Sequence, residues 1–152
     1  MPVQKLKKFL DDNDVRYVTI SHSAAFTSLE IAASAHVKGQ QLAKTVIVTL
    51  DGKMAMAVLP ANYAVDLDLL QLEAGAGDAE LASEEEFAPL FPGCEPGAMP
   101  PFGNLYGMKV YVEQSLASNE SIVFNAGTHR ELVKMDYKDF ERLVEPTVIK
   151  FT

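Results

Sequence analysis

Apolar residues in the first stretch of the chain fall at Val3, Leu6, Phe9 and Leu10. This is the spacing of one face of a helix, so residues 3–12 are expected to be helical. The pattern then changes period. "RYVTI" (16–20) reads as a strand, and "KTVIVTL" (44–50) is a nearly unbroken β-branched run, as expected of a strand buried on both faces. Asp51-Gly52 is a strong hairpin signal, and "KMAMAVLP" (53–60) is the returning strand. Helical periods return at 65–75, ending near a glycine, and at 136–143. Two capping boxes, Thr27 with Glu30 and Ser83 with Glu86, predict short helices running to about Ala35 and Leu90. Further strands are expected at 109–113, 121–125, 131–135 and 147–151.

Strands joined mostly by tight turns, with helices between them, predict a mixed α/β (α+β) fold. The expected architecture is one domain over residues 1–152, with a largely antiparallel, barrel-like mixed β-sheet flanked by helices. The 152-residue length suits one substantial core, and no linker, repeat or low-complexity tract interrupts it.

Composition narrows the function. Hydrophobic residues make up 48% and charged residues 22% of the chain, which is a globular balance. No apolar run reaches the roughly 20 residues of a membrane helix, and the amphipathic start lacks a signal-peptide core. The lone Cys94 forms no internal disulfide, which fits a reducing, cytoplasmic setting. Net charge is −8, which argues against a broad phosphate-binding surface. Any nucleic-acid contact is therefore expected to be small or aided by a partner.

Familiar catalytic patterns are missing: there is no G-x-S-x-G, no P-loop and no metal-ligand cluster, so neither a metal nor a cofactor is expected. Cys94 reads as a small apolar filler unless a histidine lies beside it. "SEEE" (83–86) reads as a helix start favoured by the macrodipole. Lys44 opens the most apolar strand. It is either a solvated strand-end cation or a cation at a pocket mouth aimed at a phosphate. "NAGTHR" (125–130) is either an ordinary turn or one whose Gly127, Thr128 and His129 leave amides and polar groups free for a ligand. "GCEPGAMPPFGN" (93–104) devotes six of its positions to glycine and proline, residues that set backbone shape rather than supply reactive groups.

Taken in order, "HSAAFTSLEIA", "GQQLAKTVIV", "VLPANYAVDL", "PGAMPPFG" and "FNAGTHREL" resemble the YbaK/EbsC family, the editing domains associated with prolyl-tRNA synthetase. The resemblance spans roughly residues 18–150. It implies a cytoplasmic aminoacyl-tRNA deacylase that removes a mischarged amino acid in trans. Lys44 matches the family's strand-opening lysine, and Gly97 to Pro101 match its G-x-x-x-P loop, although Ala98 stands where the family often has a second glycine. By this resemblance Lys44 and Gly97 are the catalytic positions. His22, Phe26, Thr27, Ala98, Met99, Pro100, Pro101, Gly127, Thr128 and His129 are the substrate-binding ones. For Phe26, core packing is a competing reading. The implied partners are the tRNA acceptor end and, where one presents it, an aminoacyl-tRNA synthetase, with no DNA or membrane involved. The competing function is a non-catalytic module that binds an aminoacyl-adenosine-like ligand or a synthetase.

Overall fold

The structure is a computed structural model, and it describes residues 2–21, 41–95 and 97–152. The helix expected from the Thr27 capping box, and with it His22, Phe26 and Thr27, lies outside the described residues. Helix α1 (Pro2–Asp12) precedes strand β1 (Tyr17–Ser21). Strands β2 (Leu42–Leu50) and β3 (Lys53–Pro60) form the expected hairpin around Asp51 and Gly52, both with positive φ. Helix α2 (Leu67–Ala74) is capped at its start by the Asp66 side chain and stopped by Gly75 at φ 70°. Then come β4 (Ala79–Leu81) and α3 (Glu84–Phe87), whose Ser83/Glu86 capping box is formed in both directions. Strand β5 (Lys109–Glu113), α4 (Gln114–Ala117), β6 (Ser121–Asn125), β7 (Glu131–Asp136), α5 (Tyr137–Val144) and β8 (Thr147–Ile149) complete the chain.

The strands form one mixed sheet in the order β1-β7-β6-β2-β3-β5-β8, with β4 added along the far half of β2. Among the described residues four pairings are antiparallel and three are parallel. The parallel ones (β2–β6, β3–β5 and β5–β8) each need a crossover connection, which hairpin signals do not reveal. Two features went unread in the sequence. Strand β4 has only three residues, and α4 is a single turn started by Glu113, a 2% exposed carboxylate that accepts from the Ser115 amide at 2.7 Å.

Strand β2 is packed on both faces, as its composition predicts. Ala43 and Ile47 enter the larger core with Leu6, Leu10, Met56, Phe102, Phe124 and Phe140. Val48 and Leu50 enter a second cluster with Leu59, Leu70 and Phe151 beneath α2. Leu42 joins Val123 and Leu132 in a third, smaller cluster. Phe102 is central to the larger core, with ring centroids 6.0, 5.5 and 5.4 Å from Phe9, Phe124 and Phe140. Each such pair adds about 0.5–1.5 kcal/mol beyond area burial. Phe102 follows Pro101 directly, so it anchors the end of the Gly/Pro loop in the core.

Candidate active site

The expected site residues that are described converge on one end of the sheet. Lys44 is the third residue of β2, and its Cα partner is Leu59 near the end of β3. Asn125 ends β6, and Glu131 begins β7 opposite Ser21, the last residue of β1. The turn 126–130 therefore projects from the same sheet end that holds Lys44.

The Gly/Pro loop is joined to that turn by main-chain hydrogen bonds. The Ala98 amide donates to the Glu95 carbonyl at 3.0 Å. Gly97, directly before Ala98, has φ 81°, in the left-handed region that glycine adopts without steric cost. The Glu95 amide donates to the Gly127 carbonyl, and the Gly127 amide donates to the Ala98 carbonyl, both at 2.8 Å. The Glu95 carboxylate also accepts from the His129 amide at 3.3 Å. Loop and turn are thus one unit, held from behind by the buried Ala98, Met99 and Phe102.

This arrangement explains the density of special residues in 93–104. Gly97 supplies left-handed geometry and lies open to solvent, and a Cβ built on it would stand 3.5 Å from His129 Cε1. Gly103 supplies close approach, since a Cβ there would meet the Met108 carbonyl oxygen at 2.5 Å and Val110 Cγ2 at 2.6 Å. Pro100 and Pro101 are buried and carry no amide proton. Where the sequence suggested that the turn leaves its amides free, the structure differs for Gly127, whose N–H is bonded to Ala98. Among the described residues the amides of Gly97 and Met99 make no hydrogen bond.

Lys44 is half-buried and, among the described residues, its ammonium makes no ion pair or hydrogen bond. Cys94 is half-buried beside Tyr106, and burial pushes its thiol above the usual range despite the opposing influence of Tyr106 and Lys5. Two cavities of about 640 and 730 Å³ lie elsewhere, one by the β2–β3 hairpin tip and one between α4 and α5, and neither is lined by a predicted site residue. Two residues of the site end went unmarked in the sequence. Glu95 joins loop to turn by both main chain and side chain, and its position before Pro-Gly was the available sign. Asn125 opens the "NAGTHR" segment, but its role depends on pairing between strands far apart in sequence.

A family model described as "Aminoacyl-tRNA editing domain" matches residues 22–143. The chain belongs to that family. Editing an aminoacyl-tRNA is hydrolysis of its ester, so membership makes this an ester hydrolase. The Ser/Thr-tRNA deacylase ProXp-y of Escherichia coli (strain K12) is 28% identical over 156 residues, covering 97% of this chain and 91% of its own. A crystal structure of a candidate trans-editing enzyme for prolyl tRNA synthetase superposes with a TM-score of 0.84 at 18% identity, covering 99% of this chain and 96% of that one. Another, of a hypothetical protein, gives 0.84 at 18% identity over 97% and 98% of the two chains. The last two establish the fold. They match the mixed sheet flanked by helices.

Proposed function

We propose that this protein is a trans-editing deacylase that hydrolyses a mischarged aminoacyl-tRNA at the loop–turn unit, with Lys44 and Gly97 at its centre. The observation that carries this reading is the set of hydrogen bonds joining Glu95 and Ala98 to Gly127 and His129, on the same sheet end as Lys44, whose ammonium has no partner among the described residues. Water attacks the ester carbonyl carbon, the carbonyl oxygen gains negative charge, and the bond to the ribose oxygen then breaks as that oxygen takes up a proton. Fixed amide dipoles stabilise the developing charge without reorganising. The Gly97 and Met99 amides are the candidates, because the Ala98 and Gly127 amides are already bonded. Rigidity is the chemical value of the cross-links: donors held in place lower the entropy cost of reaching the transition state.

Lys44 would hold a phosphate or ribose of the terminal adenosine, a compact cation suited to a point charge. Thr128 and His129 would close the pocket beside Gly97. The ester brings its own hydroxyl and amino groups to the reacting carbon, so the protein needs no nucleophile. The substrate class favoured is seryl or threonyl ester, on the likeness to the E. coli deacylase. A net charge of −8 suits a small acceptor-end contact, with a synthetase as the partner that presents the tRNA.

A deacylation assay on a panel of mischarged tRNAs tests the reading. Release of serine or threonine at rates well above spontaneous hydrolysis is the expected result. Binding of the acceptor end with no cleavage of any member would support a non-catalytic module instead.

A further inference from the structure

Strand β2 runs parallel to β6, with Leu42 opposite Val123 and Ala43 opposite Phe124. Lys44 and Asn125 are the next residues on the two strands. Ala43 and Phe124 both point into the larger core. By strand alternation Lys44 and Asn125 therefore share the opposite face, the face on which Leu42, Val123 and Leu132 cluster. Asn125 is also the residue from which the 126–130 turn departs, and Ala126 closes that turn by donating to the Glu131 carbonyl at 3.1 Å.

The Asn125 side-chain oxygen is buried and, among the described residues, has no hydrogen-bond partner. A buried acceptor without a donor is costly, and few are left so in folded proteins. At a substrate site such a group is explained when the ligand brings the missing donor. An aminoacyl ester offers three kinds of donor: the α-ammonium, the ribose hydroxyl and, in some amino acids, a side-chain hydroxyl. The neighbouring Lys44 cation disfavours a second positive charge beside it, which argues against the ammonium. If Lys44 engages the terminal adenosine, the ribose is held by that contact. A neutral side-chain hydroxyl remains the best match.

We infer that Asn125 is a specificity-determining residue whose side-chain oxygen accepts the hydroxyl of a seryl or threonyl ester. This rests on the editing function proposed above. The consequence is selectivity: a polar group that is satisfied by a substrate hydroxyl is left unpaired by an isosteric substrate lacking it, and the enzyme discriminates accordingly.

The test compares kcat/KM on Ser-tRNA and Ala-tRNA for the wild type, Asn125→Ala and Asn125→Asp, alongside their melting curves. The wild type is expected to favour serine. Asn125→Ala should lower the Ser-over-Ala ratio at least about tenfold, the scale of leaving one hydrogen bond unmade. Asn125→Asp keeps an acceptor oxygen next to Lys44 and should hold the ratio within about threefold of wild type, a rescue that packing alone does not explain. Equal losses on both substrates in a folded Asn125→Ala protein would overturn the inference, as would an unchanged ratio or a wild type that favours alanine. A wild type that hydrolyses no member of the wider panel would instead remove the editing function itself, and the inference with it.

Discussion

At the scale of single residues, Lys44, Gly97 and Cys94 separate function from folding. Lys44 makes no described ion pair, so its loss should leave the melting temperature nearly unchanged. A charge-assisted contact is worth roughly 1.5–3 kcal/mol, and a misplaced substrate adds to the loss, so Lys44→Ala should reduce turnover by about 100-fold or more. Lys44→Arg should be only partly active, because a planar fork does not replace a compact ammonium. For Gly97 the structure gives a reason independent of space. At φ 81° any side chain is strained, even though the nearest atom to a Cβ is a tolerable 3.5 Å away. Gly97→Val should cut turnover by about 100-fold, comparable to losing an oxyanion donor, while the fold survives. A fully active variant would make the turn merely structural. Burial raises the Cys94 pKa, so the thiol stays protonated and unreactive near neutral pH, and alkylation should become appreciable only as pH rises beyond the range of a free cysteine. Cys94→Ser should accordingly keep most of its activity. A loss of about 1,000-fold would point to covalent catalysis.

At the scale of elements, the caps and the hairpin were legible because each is decided within a few residues. The Asp51-Gly52 hairpin, the Ser83/Glu86 box and the stop at Gly75 are local choices between a side chain and the backbone beside it. Strand β4 and helix α4 were not legible for the opposite reason. Three residues carry no period, and α4 depends on the buried Glu113 reaching the Ser115 amide. The Gly/Pro loop falls between these cases. Its sequence announced an unusual backbone, but the division of labour within it emerged only from tertiary contacts. Gly103 is the clearest instance, since its neighbours Met108 and Val110 belong to the following turn and strand. A Cβ at 2.5 Å from the Met108 carbonyl oxygen forces backbone to move. Gly103→Ala should cost about 1–3 kcal/mol, read as a fall of about 2–4 °C in Tm per kcal/mol for a chain of this size. Calorimetry showing an unchanged Tm would contradict that close packing.

At the scale of the molecule, the order of motifs along the chain was enough to suggest the family, while the parallel pairings that bring Lys44 beside Asn125 were not. Pairing β2 with β6 joins residues some eighty positions apart, and no local pattern encodes such a neighbour. Net charge acts at this scale too. An acidic protein that meets tRNA through one or two phosphates should show a shallow salt dependence, with KM rising less than about tenfold between 50 and 200 mM salt. A broad basic surface would lose about 10³–10⁵ in affinity over the same range. No group of three metal-ligating side chains occurs among the described residues. The proposed mechanism uses water, fixed amides and Lys44 but no metal, so it predicts that deacylation persists in EDTA. Loss of activity that zinc restores would defeat the metal-free mechanism. The central claim is that a cation on β2 serves a site whose amides do the chemistry. It is tested most directly by a deacylation time course on Ser-tRNA with wild type and Lys44→Ala, both shown to be folded by their melting curves. Rapid release by the wild type and a rate lower by about 100-fold in the variant is the expected result. Equal rates in two well-folded proteins would contradict it.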